Sequence, residues 1–571
     1  MTAAGRRIPF SLRRGEAPAV YVLIAGFVGV VCLWPLARLL LEGVLPGGQV
    51  DLTPLRRVLD DPATWRAARN SLRAAACGTL LSVLIGASTA LIVGLTDVRA
   101  KPVLVLCLIL PLMIAPQVTA LAWLQVLGPS SPLLQALGLA PPPGTRNPLY
   151  SEGGIILLFG IQHAPLVFLA IRAGLRRLPQ DMVEAAHACG ARRWQAVATV
   201  VLPLLAPALI AGVALAFVSA IGNFGIPALL GIPGRYTVLT TLIYQRLAGL
   251  GPSALAETAS LSLVLGALAI AGLGIQGWIN RGVDVRASAA MGPRPYPLGR
   301  CRLPVEILCW AIVFLVLVLP ISALFATSIT PTIGVRLSAA TATLANYGFV
   351  LIDHAVTARA FRNSLLLAGG AATLLAIVAV PLAYFIVWRN ARGLRLLAAA
   401  AECTYALPGV VLAIACILIF LKPLPLLGWS IYGTVWIILA AYLSRFLILA
   451  LKPAIAGMQQ SERAFEEAAV ILGARMTTRL VTVVVPLVAP AAVAGGLLVF
   501  LTAFNELTVS ALLWSTGAET LGVVVFSLEQ SGESTYAAAV AVLTVLATIG
   551  LMLFASAFAR RLPAGTLPWQ A

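Results

Sequence analysis

Residues 184–212 read EAAHACGARRWQAVATVVLPLLAPALIAG, and residues 467–495 read EAAVILGARMTTRLVTVVVPLVAPAAVAG. Slid over one another by 283 positions without a gap, the two stretches agree at 16 of 29 places. Glu184, Ala185, Ala186 and Gly190 fall on Glu467, Ala468, Ala469 and Gly473, while Pro203, Pro207 and Gly212 fall on Pro486, Pro490 and Gly495. Biased composition yields scattered matches, not an aligned frame of Glu, Gly and Pro, so the chain reads as an internal duplication. A second marker agrees: Arg69, Asn70, Ser71 and Leu72 recur as Arg362, Asn363, Ser364 and Leu365.

Around these blocks the 571 residues are 60% apolar and only 11% charged. A soluble domain carries about 25% charged residues, so this chain requires lipid as its solvent and helices of about 20 apolar residues as its unit. Nearly uncharged runs lie at about 19–41, 74–96, 103–127, 153–171, 204–230 and 258–280, then at 304–326, 366–388, 397–421, 430–450, 486–513 and 535–558. The expected fold is therefore all-α, with twelve transmembrane helices as two six-helix repeats. An even number of spans per repeat gives both repeats the same polarity and places a path between them. The expected organisation is a tail at 1–18, a first repeat at 19–280, a linker at 281–303, a second repeat at 304–559 and a tail at 560–571. The first run is too long for a signal-peptide core and reads as an anchor that stays.

Charge selects the orientation. With the N-terminus inside, the inner segments hold 25 of the 39 Lys and Arg residues but eight of the 21 acids, which accounts for +17 of the net +18. Both termini are thus expected in the cytoplasm. The basic balance needs no nucleic-acid partner. Eight cysteines show no C-x-x-C spacing and are expected as buried, inert thiols.

The duplicated block begins in the longest inner loop of each half, at about 172–203 and 452–486. Asp181 with Glu184 reads as an N-terminal capping pair, Gly190 ends the short helix, and a second helical stretch leads to Pro203, where a span begins. Its apolar face is made of Ala rather than Leu or Phe, which suits docking on protein better than lying on headgroups.

Glu-Ala-Ala, three residues, Gly, then twelve residues and Pro resembles the motif of membrane subunits of binding-protein-dependent ABC importers. The resemblance covers both halves and implies the parallel six-helix repeats of a type I importer permease. It also implies that Glu184, Ala185, Ala186 and Gly190, with Glu467, Ala468, Ala469 and Gly473, form coupling loops docked on two copies of a cytoplasmic ATPase. ATP and Mg would be bound by that partner, and none by this chain: Lys101, Lys422 and Lys452 are each followed by Pro, which excludes a P-loop. His163, His187 and His354 have no metal-ligand spacing, and no catalytic motif occurs. An external binding protein would select the cargo and meet the outer loops near 42–69, 231–257 and 514–533.

The fused two-repeat form looks most like ferric-iron importer permeases, with thiamine and aminophosphonate importers built similarly. The span after each coupling loop supplies the pore candidates Ser219, Asn223 and Phe224, and Thr502, Asn505 and Glu506. Each is also read as an interhelical hydrogen bond, and His163 and Arg445 are read as bundle contacts. Glu506 is a weak metal candidate. The rival reading is a twelve-span secondary transporter driven by an ion gradient, with Glu402, Glu506 and Glu306 as candidate proton carriers; a passive channel is a third.

Overall fold

The computed structural model describes residues 16–44, 51–142, 144–249, 254–280, 294–423 and 428–559. The tail arginines Arg6, Arg7, Arg13, Arg14, Arg560 and Arg561, and Arg281, Asp284 and Arg286 of the linker, lie outside the described residues. Among the described residues the structure is helical, with no strand beyond an isolated bridge between Thr96 and Tyr296.

The first half comprises α1 (Pro18–Gly43), α2 (Pro62–Leu95), α3 (Lys101–Met113), α4 (Pro116–Leu127), α5 (Glu152–Arg176), α6 (Gln180–Ala188), α7 (Arg193–Gly222), α8 (Gly225–Gly234), α9 (Leu239–Leu247) and α10 (Ala254–Asn280). The second repeats that order as α11 (Gly299–Ser328), α12 (Ala355–Val387), α13 (Arg392–Ala406), α14 (Gly409–Phe420), α15 (Val435–Gln460), α16 (Ala464–Ile471), α17 (Met476–Phe504), α18 (Ser510–Leu513), α19 (Leu521–Gln530) and α20 (Ser534–Ala559). Among the described residues ten helices are long and apolar enough to cross a membrane unbroken. The runs expected at 103–127 and 397–421 are instead broken spans: α3 meets α4 at 102°, and α13 meets α14 at 112°. A third bent pair, α8 with α9 at 79°, passes the same test, so among the described residues the spans number between ten and thirteen, a range that contains the twelve expected.

Proline causes both breaks. Pro116 and Pro408 push the preceding Ala115 and Leu407 into extended backbone, with ψ of 135° and 142°. The runs expected at 204–230 and 486–513 also stop early, at Gly222 and Phe504, where the chain turns into α8 and α18. The spans expected to begin at Pro203 and Pro486 start earlier instead, at Arg193 and Met476, and run through those prolines. Pro lacks an N–H and its ring crowds the carbonyl four residues back. Here a wide π turn just upstream absorbs the mismatch, at Val197–Val201 and at Leu480–Val484. The first spans use the same device, with Gly29–Leu33 before Pro35 and Phe314–Val318 before Pro320.

Packing within each half rests on small residues, which let helix backbones approach in lipid. A Cβ on Gly86 of α2 would sit 2.4 Å from the Ala164 carbonyl of α5, and the buried Ser82 hydroxyl donates to the Gly160 carbonyl at 3.0 Å. The halves embrace. From α1, the Cys32 thiol donates to the Ser444 carbonyl of α15, and Thr404 of α13 donates to the Cys32 carbonyl. From α11, Thr327 donates to Gln125 of α4 at 3.3 Å. Each first span therefore packs on the other half. Of the cysteines, Cys32, Cys309 and Cys416 are buried as expected, but Cys77, Cys189, Cys301 and Cys403 are exposed. A helix buries only the stripe that faces its neighbours, and Cys77 and Cys403 lie off that stripe, while Cys189 follows the end of α6 and Cys301 sits in the first turn of α11.

Replacing Gly86 by Val forces α2 away from a backbone carbonyl that cannot rotate aside. The expected cost is about 2 kcal/mol or more, read as a lower thermal midpoint of the detergent-purified chain; an unchanged midpoint would refute the close contact.

Candidate functional site

Two features stand out from the fold, a pair of exposed loops on one face and a cavity between the halves. In the loops, α6 and α16 end alike. Gly190 and Gly473 have φ of +86° and +78°, where a side chain is strained. The N–H of Ala191 bonds the Ala186 carbonyl and that of Gly190 bonds the His187 carbonyl, while Ala474 to Ala469 and Gly473 to Val470 repeat the pattern. This is the Schellman closure, which explains the glycine of the duplicated block. The capping pair expected from Asp181 and Glu184 is absent: α6 starts at Gln180 after Pro179, and Glu184 accepts a hydrogen bond from the Gln180 amide. Glu467 pairs with Arg463 at 3.2 Å.

Glu184, Ala185, Glu467 and Ala468 are exposed, and Ala186 and Ala469 are half-buried. The surface is more apolar than an alanine face, because Met182, Phe465, Ile471 and Leu472 are exposed beside them, Ile471 and Leu472 to about 85%.

The cavity encloses about 290 Å³ and is walled by both halves. Its ends are the two broken spans, Leu112–Gln117 and Tyr405–Pro408, and its sides come from α5, α7, α15 and α17. Non-helical backbone at this depth is tolerated where it lines a cavity. Of the sequence candidates, Ser219, Asn223, Thr502, Asn505 and Glu506 line it, and Phe224 does not. Phe224 is fully buried behind the wall, 5.1 Å from the Tyr244 ring and 5.9 Å from Phe526. His163 and Arg445, read as bundle contacts, are both on the wall, although His163 also holds the Phe159 carbonyl of its own helix at 2.9 Å.

Geometry gives the candidates a second role. Asn223 accepts the Ile226 N–H at 3.2 Å, and Glu506 accepts those of Val509 and Ser510 at 2.8 and 3.2 Å, so both cap the turn after their span. The Asn505 amide donates to the Met113 carbonyl at 3.1 Å, tying the end of α17 to the break of the opposite half, and Gly222 stands against Pro408 at the related place. Gln117 and Gln162 were missed by the sequence reading. The Gln162 amide binds the Pro111 and Ile114 carbonyls at 2.8 and 3.1 Å, and its oxygen, like those of Gln117 and Asn505, is buried without a partner. For Gln162 the signal was available: the 283-residue shift places it on Arg445, as it places Asn223 on Glu506.

One half thus carries two neutral amides where the other carries a guanidinium and a carboxylate. Arg445 Nη1 lies 3.9 Å from Glu506 Oε1 and is buried without a hydrogen bond. Among the described residues no three His, Cys, Asp or Glu side chains gather as a metal-ligand group, and Glu506 is already engaged. Glu402 lies apart, in an exposed pair with Lys452 at 3.2 Å, and Glu306 accepts the Arg99 N–H.

Glu506→Ala should remove the cap and strand Arg445, costing about 3 kcal/mol. Glu506→Gln keeps an acceptor for Val509 and should cost about 1 kcal/mol. Thermal midpoints of the two purified variants check this, and equal losses would dismiss the capping role.

A family described as "binding-protein-dependent transport system inner membrane component" matches twice, over residues 78–285 and 374–566. The chain is 28% identical over 471 residues, covering 81% of itself and 72% of the relative, to a putative ferric transport system permease protein of Haemophilus influenzae. It is 27% identical over 558 residues, 94% of itself and 96% of the relative, to a probable ABC transporter permease protein of Sinorhizobium fredii. A molybdenum transport system permease protein of Escherichia coli aligns with 39% of the chain and 96% of its own length at 29% identity. With a duplicated loop, two broken spans around one cavity and a family match in each half, the chain belongs to the inner-membrane components of binding-protein-dependent transport systems, as a two-repeat, non-catalytic ABC permease subunit.

Proposed function

We propose that this chain forms the whole translocation path of an ATP-driven importer and that its cargo is ferric iron. The observation that carries the reading is the pair of Glu-Ala-Ala loops, exposed and closed by matching Schellman turns, on one face of a molecule whose halves share a cavity. The iron assignment follows the ferric permease relative. In this reading the loop face is cytoplasmic, as are both termini, and each loop docks on one of two copies of an ATPase that binds ATP and Mg. The external binding protein sits on the outer loops near 42–69, 231–257 and 514–533. Closure of the ATPases drives α6 and α16 together, and the continuous helices α7 and α17 carry that motion to the cavity.

In this scheme iron passes the permease without a cage of protein ligands, since hard oxygen donors of the kind it prefers are scarce on the wall. A second reading has a specific observation behind it. Arg445 Nη1 makes no hydrogen bond, although Glu506 stands 3.9 Å away, and as a donor on the wall it would suit an anionic cargo, such as an aminophosphonate, better than a cation such as thiamine. Against the ion-gradient alternative, Glu402 pairs with Lys452 away from the cavity, which leaves Glu506 as the candidate carboxylate on the wall.

The test is Glu184→Lys and Glu467→Lys, singly and together, with uptake of radiolabelled ferric iron and the ATPase that co-purifies as readouts. Each single change should lower uptake about tenfold or more, equivalent to 1.4 kcal/mol of docking, and the double change should abolish both uptake and co-purification. Survival of both in the double variant would remove the coupling role. Loss of ATPase association with no iron uptake even in the parent chain would redirect the cargo to the anionic class.

A further inference from the structure

The two loops share a sequence motif but not the way they are fastened. In the second half, Glu466 at the start of α16 is only 2% exposed. It accepts hydrogen bonds from the Tyr384 hydroxyl of α12 at 2.9 Å, from Arg479 of α17 at 2.7 Å and from Arg389 at 3.4 Å. Arg389 in turn donates to the Tyr384 oxygen at 2.8 Å and lies over its ring. One carboxylate therefore joins α16 to two transmembrane helices and to the loop between α12 and α13. The 283-residue shift puts Val183 at the place of Glu466 and Ala196 at the place of Arg479, so the first half has no charge at either position. Val183 is buried as well, by apolar contact alone.

The first loop is tied instead to the linker between the halves. His187 Nε2 and the Tyr296 hydroxyl form a 3.0 Å hydrogen bond, Arg193 lies over the same ring, and Arg193 donates to the Pro297 carbonyl at 2.9 Å. The linker is anchored in turn on Asp97 after α2, whose carboxylate accepts the Leu298 N–H at 2.9 Å and pairs with Arg302. That N–H, with Arg302 beside it, holds Asp97 below the usual carboxylate range.

We propose that the two coupling helices are mechanically unequal, and that Glu466 is the positioning residue that makes the second one rigid with the membrane helices. This rests on the importer reading for its purpose, though not for its geometry. A buried carboxylate between two guanidinium groups holds direction as well as distance, whereas apolar contact at Val183 fixes only distance. Removing the charge keeps Oε1 as an acceptor but ends its ion pairs with Arg389 and Arg479, leaving the buried Arg479 charge uncompensated, which makes the docked position itself less favourable. The second loop then swings without moving α12 or α17, and force applied there is lost. Identical ATPase copies would in this way meet one stiff lever and one lever steered by the linker.

The experiment is Glu466→Gln in the full chain, with Glu462→Gln, an exposed neighbour, as control. Hydrogen exchange of the purified chain should rise tenfold or more across 461–473 while 180–190 stays unchanged. Uptake of radiolabelled ferric iron should fall severalfold, with the ATPase still co-purifying and still hydrolysing ATP. Exchange unchanged across 461–473 would overturn the fastening. Raised exchange with undiminished uptake would overturn its role in coupling. If Glu466→Gln fails to fold, Tyr384→Phe removes one of the three bonds, and a smaller rise confined to the same segment is the expected result; a rise in both loops would refute the inequality. A parent chain that carries no ATPase would sink the importer reading, and the exchange arm would still decide the fastening.

Discussion

Wherever this chain stops being helical inside the apolar layer, some side chain has to meet the backbone groups that the helix would have satisfied. Hydrocarbon offers no partner, and each unmet group costs several kcal/mol. That constraint explains the placement of four of the polar residues around the cavity. Gln162 covers the carbonyls of Pro111 and Ile114, Asn505 covers that of Met113, and Asn223 and Glu506 cover the N–H groups exposed where α7 and α17 end. The residues that line the cavity are first the residues that make a broken span possible. Any contribution they make to transport is built on that structural duty; among the buried atoms of the described wall residues, the amide oxygens of Gln117, Gln162 and Asn505 and Nη1 of Arg445 make no hydrogen bond.

The π turns answer the same constraint by another route. Pro35, Pro203, Pro320 and Pro486 each delete a donor, and the helix widens upstream rather than ending. As a result α7 and α17 run unbroken from the loop face to the cavity. A lever that is one helix transmits displacement along its axis, whereas a hinge at Pro203 would have absorbed it.

The duplication and the two loops were legible because each is written in periodicity, spacing or an aligned frame. Gly190 and Gly473 could be read from their place alone, since a left-handed residue closes each loop helix. The breaks in α3–α4 and α13–α14 were missed because hydropathy counts apolar residues and does not register direction; Pro116 and Pro408 sit in runs that look uniform. Phe224 was misplaced for a related reason. Its helix ends at Gly222, so helical periodicity no longer says which way the next side chains point. Glu466 was overlooked beside the motif glutamate Glu467, because one residue of rotation separates an exposed carboxylate from a buried one. Gln162 and Arg445 become comparable only when the repeat shift is extended beyond the conserved block.

The crossing of the first spans bears on how the molecule is made. Cys32 finds its partners at Ser444 and Thr404, which lie 412 and 372 residues further along the chain. At synthesis rates of about 5–20 residues per second, roughly 20–80 s separate the insertion of α1 from the arrival of α13 and α15. During that interval α1 stands in the bilayer with lipid on the face that will later be protein. The second half meets no such wait on its other side, since α11 emerges when α4 is already in place. Assembly is therefore directional: the first half offers a finished seat to α11, and the second half closes over a helix that has been waiting since the start. Joining the repeats in one polypeptide keeps that waiting helix beside the surface that will cover its Cys32 face.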